Sequence, residues 1–462
     1  MNKKEGREMK KDLTLKETII VASMLFGMFF GAGNLIFPVH MGQLAGFNVF
    51  KATIGFIITA VGFPLLGVCA LCVTKTNDMY ELSAKVGKGF SVFFTMLLYL
   101  TIGPFFAIPR CATTSFTVGV APLVGTENSN IALLIFSFIF FSIVLFFSLN
   151  PSKIMDYIGK FINPIFLFFF AIFLIVALVH PTINILEVLP EQEYNKGSFF
   201  KGLFEGYNTM DAIASLAFGI TVINVIKKLD IKETNDIAKN TIKAGIICAI
   251  LMSIIYLLSA LVGVTTRGAI TVSENGGIAL ADMARLYFND LGIYLLLIIV
   301  TMACLKTSIG LIVSCSEMFV RLFPKFLSEK TWSIILVVFS FVVSNAGLTT
   351  IIQYSIPALM FIYPLVISII LISIVGKSFD YHSIVYKITI YCCIILALFD
   401  FINYLPDNLK NALNLNVLIG FAQNHIPLFD MGLGWLIPTF IAFVIGLIIN
   451  AMFVEDEHTE TY

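Results

Sequence analysis

The sequence predicts an all-α membrane protein with twelve transmembrane helices, and three observations carry that expectation. Hydrophobic residues fill 58% of the 462 positions and charged residues only 13%, whereas a soluble domain carries about 25% charge. Apolar runs of about 20 residues, long enough to cross a bilayer, recur along the whole chain. Lys and Arg collect in alternate connecting loops, as they do on the inner face of a membrane. The formal net charge is zero, which gives no reason to expect a nucleic-acid partner.

The start, Met1 to Glu17, is hydrophilic, and the first apolar segment lacks a small-residue cleavage site before its Pro, so no cleavable signal peptide is expected. The spans read as 18–39, 49–73, 90–120, 131–149, 156–180, 204–226, 241–264, 291–320, 332–349, 352–375, 384–402 and 433–453. The third and eighth are long enough to tilt. Inner basic residues are Lys3, Lys4, Arg7, Lys10, Lys11 and Lys16, then Lys75, Lys85 and Lys88, then Lys153 and Lys160. Further along come Lys227, Lys228, Lys232, Lys239 and Lys243, then Arg321, Lys325 and Lys330, then Lys377 and Lys387. An even number of spans places both termini in the cytoplasm, including Glu455, Asp456, Glu457 and Glu460. Residues 181–200 and 265–290 read as long outer loops, either lids or plain connectors. The eight cysteines lie in or beside apolar runs and read as packing residues, with no disulfide and no metal site expected.

Span 1 contains Gly27-Met28-Phe29-Phe30-Gly31-Ala32-Gly33-Asn34-Leu35-Ile36-Phe37-Pro38. Gly costs a helix interior about 1 kcal/mol and Pro about 3 kcal/mol relative to Ala. A broken helix in a bilayer is tolerated only where it is buried in protein or lines a cavity. The alternative is a Gly27/Gly31 packing face of the GxxxG kind. A partner stretch lies in span 6, from Glu205 through Asn208-Thr209-Met210-Asp211 to Ser215 and Phe218-Gly219. Five spans are an odd number, so a repeated five-helix unit inverts. The expected architecture is a first repeat at 18–180, an outer loop at 181–203 and a second repeat at 204–375. Two further spans follow at 376–453, with tails at 1–17 and 454–462.

The free N–H groups at one side of a helix break attract an anion, and the free C=O groups at the other side attract a cation. Gly31 and Gly33 permit close approach of a ligand. Phe30, Phe37, Met210 and Phe218 offer an apolar pocket. The candidate substrate-binding residues are therefore Phe30, Gly31, Ala32, Gly33, Asn34, Thr209, Met210, Asp211, Ser215 and Phe218. In span 8, Cys304, Thr307 and Ser308 share a helix face and suit Na⁺, unless the hydroxyls bond back to their own helix. Lys306 lies mid-span, where a charge is functional by default. It could pair with Asp211, occupy a cation site or exchange a proton. Arg110 reads as an outer gate or an interfacial anchor, and Asp211 as a gating acid. Glu317 is expected to pair with Arg321, four residues on.

These stretches resemble the branched-chain amino acid:cation symporters of the amino acid–polyamine–cation group. The resemblance rests on Phe29 to Pro38, on Ile102-Gly103-Pro104-Phe105-Phe106-Ala107-Ile108-Pro109-Arg110, and on Glu205 to Asp211 with Leu216 to Gly219. It spans essentially the whole chain. It implies a secondary active transporter importing leucine, isoleucine and valine by cation symport and alternating access. It also implies discontinuous helices 1 and 6, with the substrate carboxylate bound by amides near Gly31 and Gly33. Sodium would be held by the carbonyls of Gly27, Phe30 and Cys304 and the hydroxyls of Thr307 and Ser308. Two positions depart from the family pattern: Lys306 stands where an uncharged residue is usual, and Thr117 where an acid is usual. The coupling ion is open between Na⁺ and H⁺, and another amino acid or small solute is the alternative cargo. No cofactor and no obligate protein partner are expected beyond the lipid bilayer and an amino-acid substrate, in a plasma or inner membrane. No convergent catalytic set appears in the spans, so no enzyme is expected.

Overall fold

The computed structural model describes residues 11–125, 127–149 and 163–459. Among them every regular element is helical. Lys3, Lys4, Arg7, Lys10, Lys153, Lys160, Glu460 and the start of span 5 lie outside the described residues. Helix covers part of each of the twelve apolar runs. Among the described residues, seven helices are long and apolar enough to cross a membrane, or eight when one bent pair counts as a single span.

The chain opens with α1 (Leu15–Phe29) and α2 (Ala32–Ala45), separated by extended backbone at Phe30 and Gly31. Thr14 and Glu17 form a reciprocal cap at the start of α1. Pro38 sits inside α2 rather than ending it, so the break is the work of Phe30-Gly31. Next come α3 (Val49–Ile57) and α4 (Phe63–Thr74), joined by a π-turn, and the short α5 (Met79–Ser83). Span 3 is α6 (Lys88–Leu100) and α7 (Ala107–Gly119). A π-helical Thr101–Phe105 carrying Pro104 and the non-helical Gly103 divides it, so the span bends instead of tilting as one rod. There follow α8 (Ala121–Val124), α9 (Ser129–Ser148) and α10 (Asn163–Val179).

Span 6 is α11 (Gln192–Tyr207) and α12 (Asp211–Lys228). The stretch expected to be an outer loop at 181–203 thus contains helix from Gln192 on. The polar run from Gln192 hides a helix that is held by packing on α3. A methyl group on Gly202 would overlap the Ala52 carbonyl, and one on Gly55 the Phe199 carbonyl, so glycine lets the two backbones touch.

Beyond these lie α13 (Thr234–Thr265) and the 47-residue α14 (Gly276–Leu322), which kinks at Asn289. The stretch read as an outer loop at 265–290 therefore contains helix. Asn275 caps it, its side-chain oxygen accepting from the amides of Gly277 at 2.9 Å and Ile278 at 3.1 Å. The chain closes with α15 (Glu329–Ser344), α16 (Leu348–Val375), α17 (Ser383–Asn403), α18 (Asp407–Ala412), α19 (Asn416–His425) and α20 (Leu436–Thr459).

Arg321 turns away from Glu317. Its guanidinium pairs with Asp78 and, at 2.6 Å, with Glu81. Two carboxylates from another element outbid one helical neighbour. All eight cysteines are free, and no His, Cys, Asp or Glu group able to hold a metal occurs among the described residues.

Candidate functional site

The α1/α2 break faces the α11/α12 break. Ending α1 at Phe29 leaves its last carbonyls without helical donors. The Gly31 amide, which would otherwise return to Gly27, donates instead to Asn34 Oδ1 at 2.9 Å. At the second break, Asn208 and Thr209 are non-helical and Met210 takes a left-handed φ of 64°. Asp211 opens α12.

Asn34 joins the two breaks. Its amide nitrogen donates to Asp211 Oδ2 at 2.5 Å and to the Tyr256 hydroxyl of α13 at 2.5 Å. Tyr256 reaches the same Asp211 oxygen at 3.4 Å. Asn34, Asp211 and Tyr256 are all buried. From α7, Arg110 donates to the Asn208 carbonyl at 2.6 Å, and its guanidinium lies 5.1 Å from the Phe37 ring centre. Arg110 is only 3% exposed, so it is no interfacial anchor. It braces the second break from the side of helix 3. Most buried polar groups have such partners, although Arg110 Nε has none among the described residues.

A cavity of about 40 Å³ lies between these groups. Gly31, Ala32, Gly33 and Asn34 line it, as do Thr209, Met210, Asp211, Phe218, Arg110 and Thr307. Two candidates point elsewhere. The Phe30 ring stacks on Phe26 at 4.8 Å and packs against Phe166, Phe170 and Tyr256. The Ser215 hydroxyl donates to the Ala212 carbonyl at 2.7 Å and packs on Gly67. In α14, Thr307 faces Gly31, with Oγ1 3.5 Å from where a Gly31 methyl would stand, and donates to the Ala303 carbonyl at 3.1 Å. Cys304 and Ser308 lie beside Cys111 of α7. Gly27 is buried in α1, and Lys306 is half-buried next to Thr307.

Tyr256 and Cys111 are the residues that sequence reasoning missed. A tyrosine inside an apolar run carries no periodic signal, and its partner Asn34 is 222 positions away.

Paired helix breaks around a small buried cavity, inside an apolar helical bundle, are an arrangement suited to a multi-pass membrane transport protein. The family model described as branched-chain amino acid transport protein matches residues 14–453, and the chain belongs to that family. The chain is 46% identical over 439 residues to branched-chain amino acid permease BrnQ of Lactobacillus delbrueckii subsp. lactis, covering 95% of this chain and 97% of that one. It is 40% identical to branched-chain amino acid permease BraB of Bacillus subtilis (strain 168), covering 96% and 97%. Among solved structures, the nucleobase-cation-symport-1 family transporter Mhp1, in a closed conformation, matches with a TM-score of 0.62 at 13% identity, covering 95% of this chain and 93% of that one. At that identity the likeness is one of fold.

Proposed function

We propose that this protein imports leucine, isoleucine and valine by cation symport and alternating access. The observation that carries this reading is the pair of facing helix breaks tied through Asn34 and Asp211. Amides at the start of α2 near Gly31 and Gly33 suit the substrate carboxylate, which would displace Asn34 Oδ1 from the Gly31 amide, with Arg110 adding positive charge nearby. Asp211 and the backbone carbonyl of Thr209 at the second break suit the ammonium. Met210 and Phe218 suit the aliphatic side chain. A cavity of about 40 Å³ has room for only a few waters, so admitting leucine requires the breaks to separate.

Twelve crossings in two inverted five-helix repeats plus two, with both termini inside a plasma membrane, is the arrangement that fits the basic loops. Sodium is the preferred coupling ion. The carbonyl released at Gly27, with those of Phe30 and Cys304 and the hydroxyls of Thr307 and Ser308, would supply its oxygens. Proton coupling is the second reading. Lys306 next to Thr307 favours it, as does Ser308 turning toward Cys111.

The test is uptake of labelled leucine into proteoliposomes, with and without a sodium gradient, at several pH values. Saturable uptake that follows sodium and is displaced by isoleucine and valine is expected. Uptake that ignores sodium and follows pH removes sodium from the scheme. Uptake that isoleucine and valine do not displace removes the substrate assignment.

A further inference from the structure

Asp400 lies on α17, three residues before that helix ends, and is fully buried. Both carboxyl oxygens are enclosed, and neither has a hydrogen-bond partner among the described residues. Tyr207, the last residue of α11, is within electrostatic reach of Asp400. Its phenol is buried and equally without a partner. Tyr404, at the end of α17, is the other phenol in reach.

The surrounding titratable groups are few. Tyr207 comes from α11, with Glu193 of the same helix reaching only as far as Tyr404. Tyr363 of α16 stacks on Tyr207 with ring centres 4.0 Å apart. Cys393 lies on α17 itself, with Thr439 of α20 beside it. Lys410 is engaged elsewhere, by Asp407 at 2.7 Å and the Asn403 carbonyl at 3.4 Å.

An enclosed carboxylate anion requires a counter-charge or several donors, and without them the neutral acid costs far less to bury than the anion. A metal cation would need more oxygen ligands than one carboxylate and two phenols provide. The position is also telling. Tyr207 directly precedes Asn208, whose carbonyl takes Arg110, and Thr209 and Met210, which line the cavity. Asp400 is therefore within electrostatic reach of the residue that precedes the second helix break, and it does not line the cavity.

We propose that Asp400, together with Tyr207, is a buried proton-binding site whose occupancy is coupled to movement of the break at 208–210. This rests on the transporter reading for the motion alone. When the break opens and admits water, the Asp400 carboxyl gives its proton to that water, and the Tyr207 hydroxyl donates to the carboxylate left behind. On closing, a proton from water returns to the carboxyl. Only O–H bonds break and form.

The experiment uses the full-length protein in lipid nanodiscs. Infrared difference spectra are recorded through a pH titration for wild type, Asp400→Asn and Tyr207→Phe, beside the pH profile of leucine uptake. Wild type should show a protonated-carboxyl C=O stretch that Asp400→Asn lacks, and Tyr207→Phe should shift its titration. The uptake profile of Asp400→Asn should move by a pH unit or flatten. A band that survives unchanged in Asp400→Asn overturns the proposal. Should Asp400→Asn fail to fold, an unaltered titration in Tyr207→Phe overturns it. Loss of the band in Asp400→Asn, in a wild-type protein that takes up no leucine, leaves the proton site standing and removes the transport reading instead.

Discussion

Replacing Gly33 by Ala probes the site where the two breaks meet. The new methyl group would stand 2.9 Å from Arg110 Nη2, 3.3 Å from the Phe37 ring and 3.3 Å from the Thr209 Cα. Carbon contacts settle at about 3.5–4.0 Å, so the guanidinium must retreat by roughly half an ångström. It is not free to do so, being held at 2.6 Å by the Asn208 carbonyl and resting on Phe37. Losing a hydrogen bond from a charged donor costs about 1.5–3 kcal/mol, and overpacking adds about 1–3 kcal/mol. Relief of the glycine penalty in the helix returns about 1 kcal/mol. The expected net loss is about 1.5–5 kcal/mol, or at least about tenfold in the population of the native site at 1.36 kcal/mol per tenfold. Gly31→Ala is the control. Its methyl would meet Thr307 at 3.4 and 3.5 Å, at a backbone φ of −126° that any residue accepts. Thermal unfolding in detergent and saturable leucine uptake in proteoliposomes should both fall in Gly33→Ala. In Gly31→Ala the melting temperature should hold. Equal stability and equal uptake in the two variants would refute the assignment of Arg110 as the brace of the second break.

Three further outcomes are expected. Tyr256→Phe removes the hydroxyl that accepts from Asn34 and reaches Asp211. At about 1–1.5 kcal/mol for one buried hydrogen bond, leucine affinity should weaken about tenfold by equilibrium binding while helicity is unchanged. Gly202→Val pushes a side chain into the Ala52 carbonyl and should sharply lower the yield of folded protein on size exclusion. Gly197→Ala meets nothing within 4 Å and should leave that yield unaltered. Asp12 is bound by Lys243 at 2.6 Å and Lys239 at 3.1 Å. The Lys243 hydrogen bond, then the Lys239 one, holds its carboxyl below the ordinary 3.8. A depressed carboxyl contributes above its unfolded value and loses that contribution as pH falls through the folded one. A spin label at position 15 should therefore stay immobile from neutral pH down to about 4 and loosen only below that. In Asp12→Asn the label should show no such pH dependence.

How far the fold was legible depends on how local its cause is. Apolar runs announce themselves because burying them in lipid needs no partner, and the break at Phe30-Gly31 was visible because glycine weakens a helix by itself. The helix from Gln192 was not visible. Its residues are polar, and what holds it is contact with α3, which no window of sequence contains. Arg321 likewise has a plausible neighbour in Glu317, but chooses Asp78 and Glu81, 243 and 240 positions away.

The same division runs through the candidate site. The sequence by itself determined that helices 1 and 6 break, and which residues crowd the breaks, since backbone propensity and bilayer hydrogen-bonding are local constraints. Only the tertiary structure decided which of those side chains look inward. It turned Phe30 into an aromatic column and Ser215 onto Gly67. It brought Arg110 from helix 3 to the Asn208 carbonyl and set Tyr256 of α13 against Asn34 and Asp211. A side chain's direction at a break follows from the packing of neighbouring helices, because the regular 3.6-residue period that would otherwise fix it ends there.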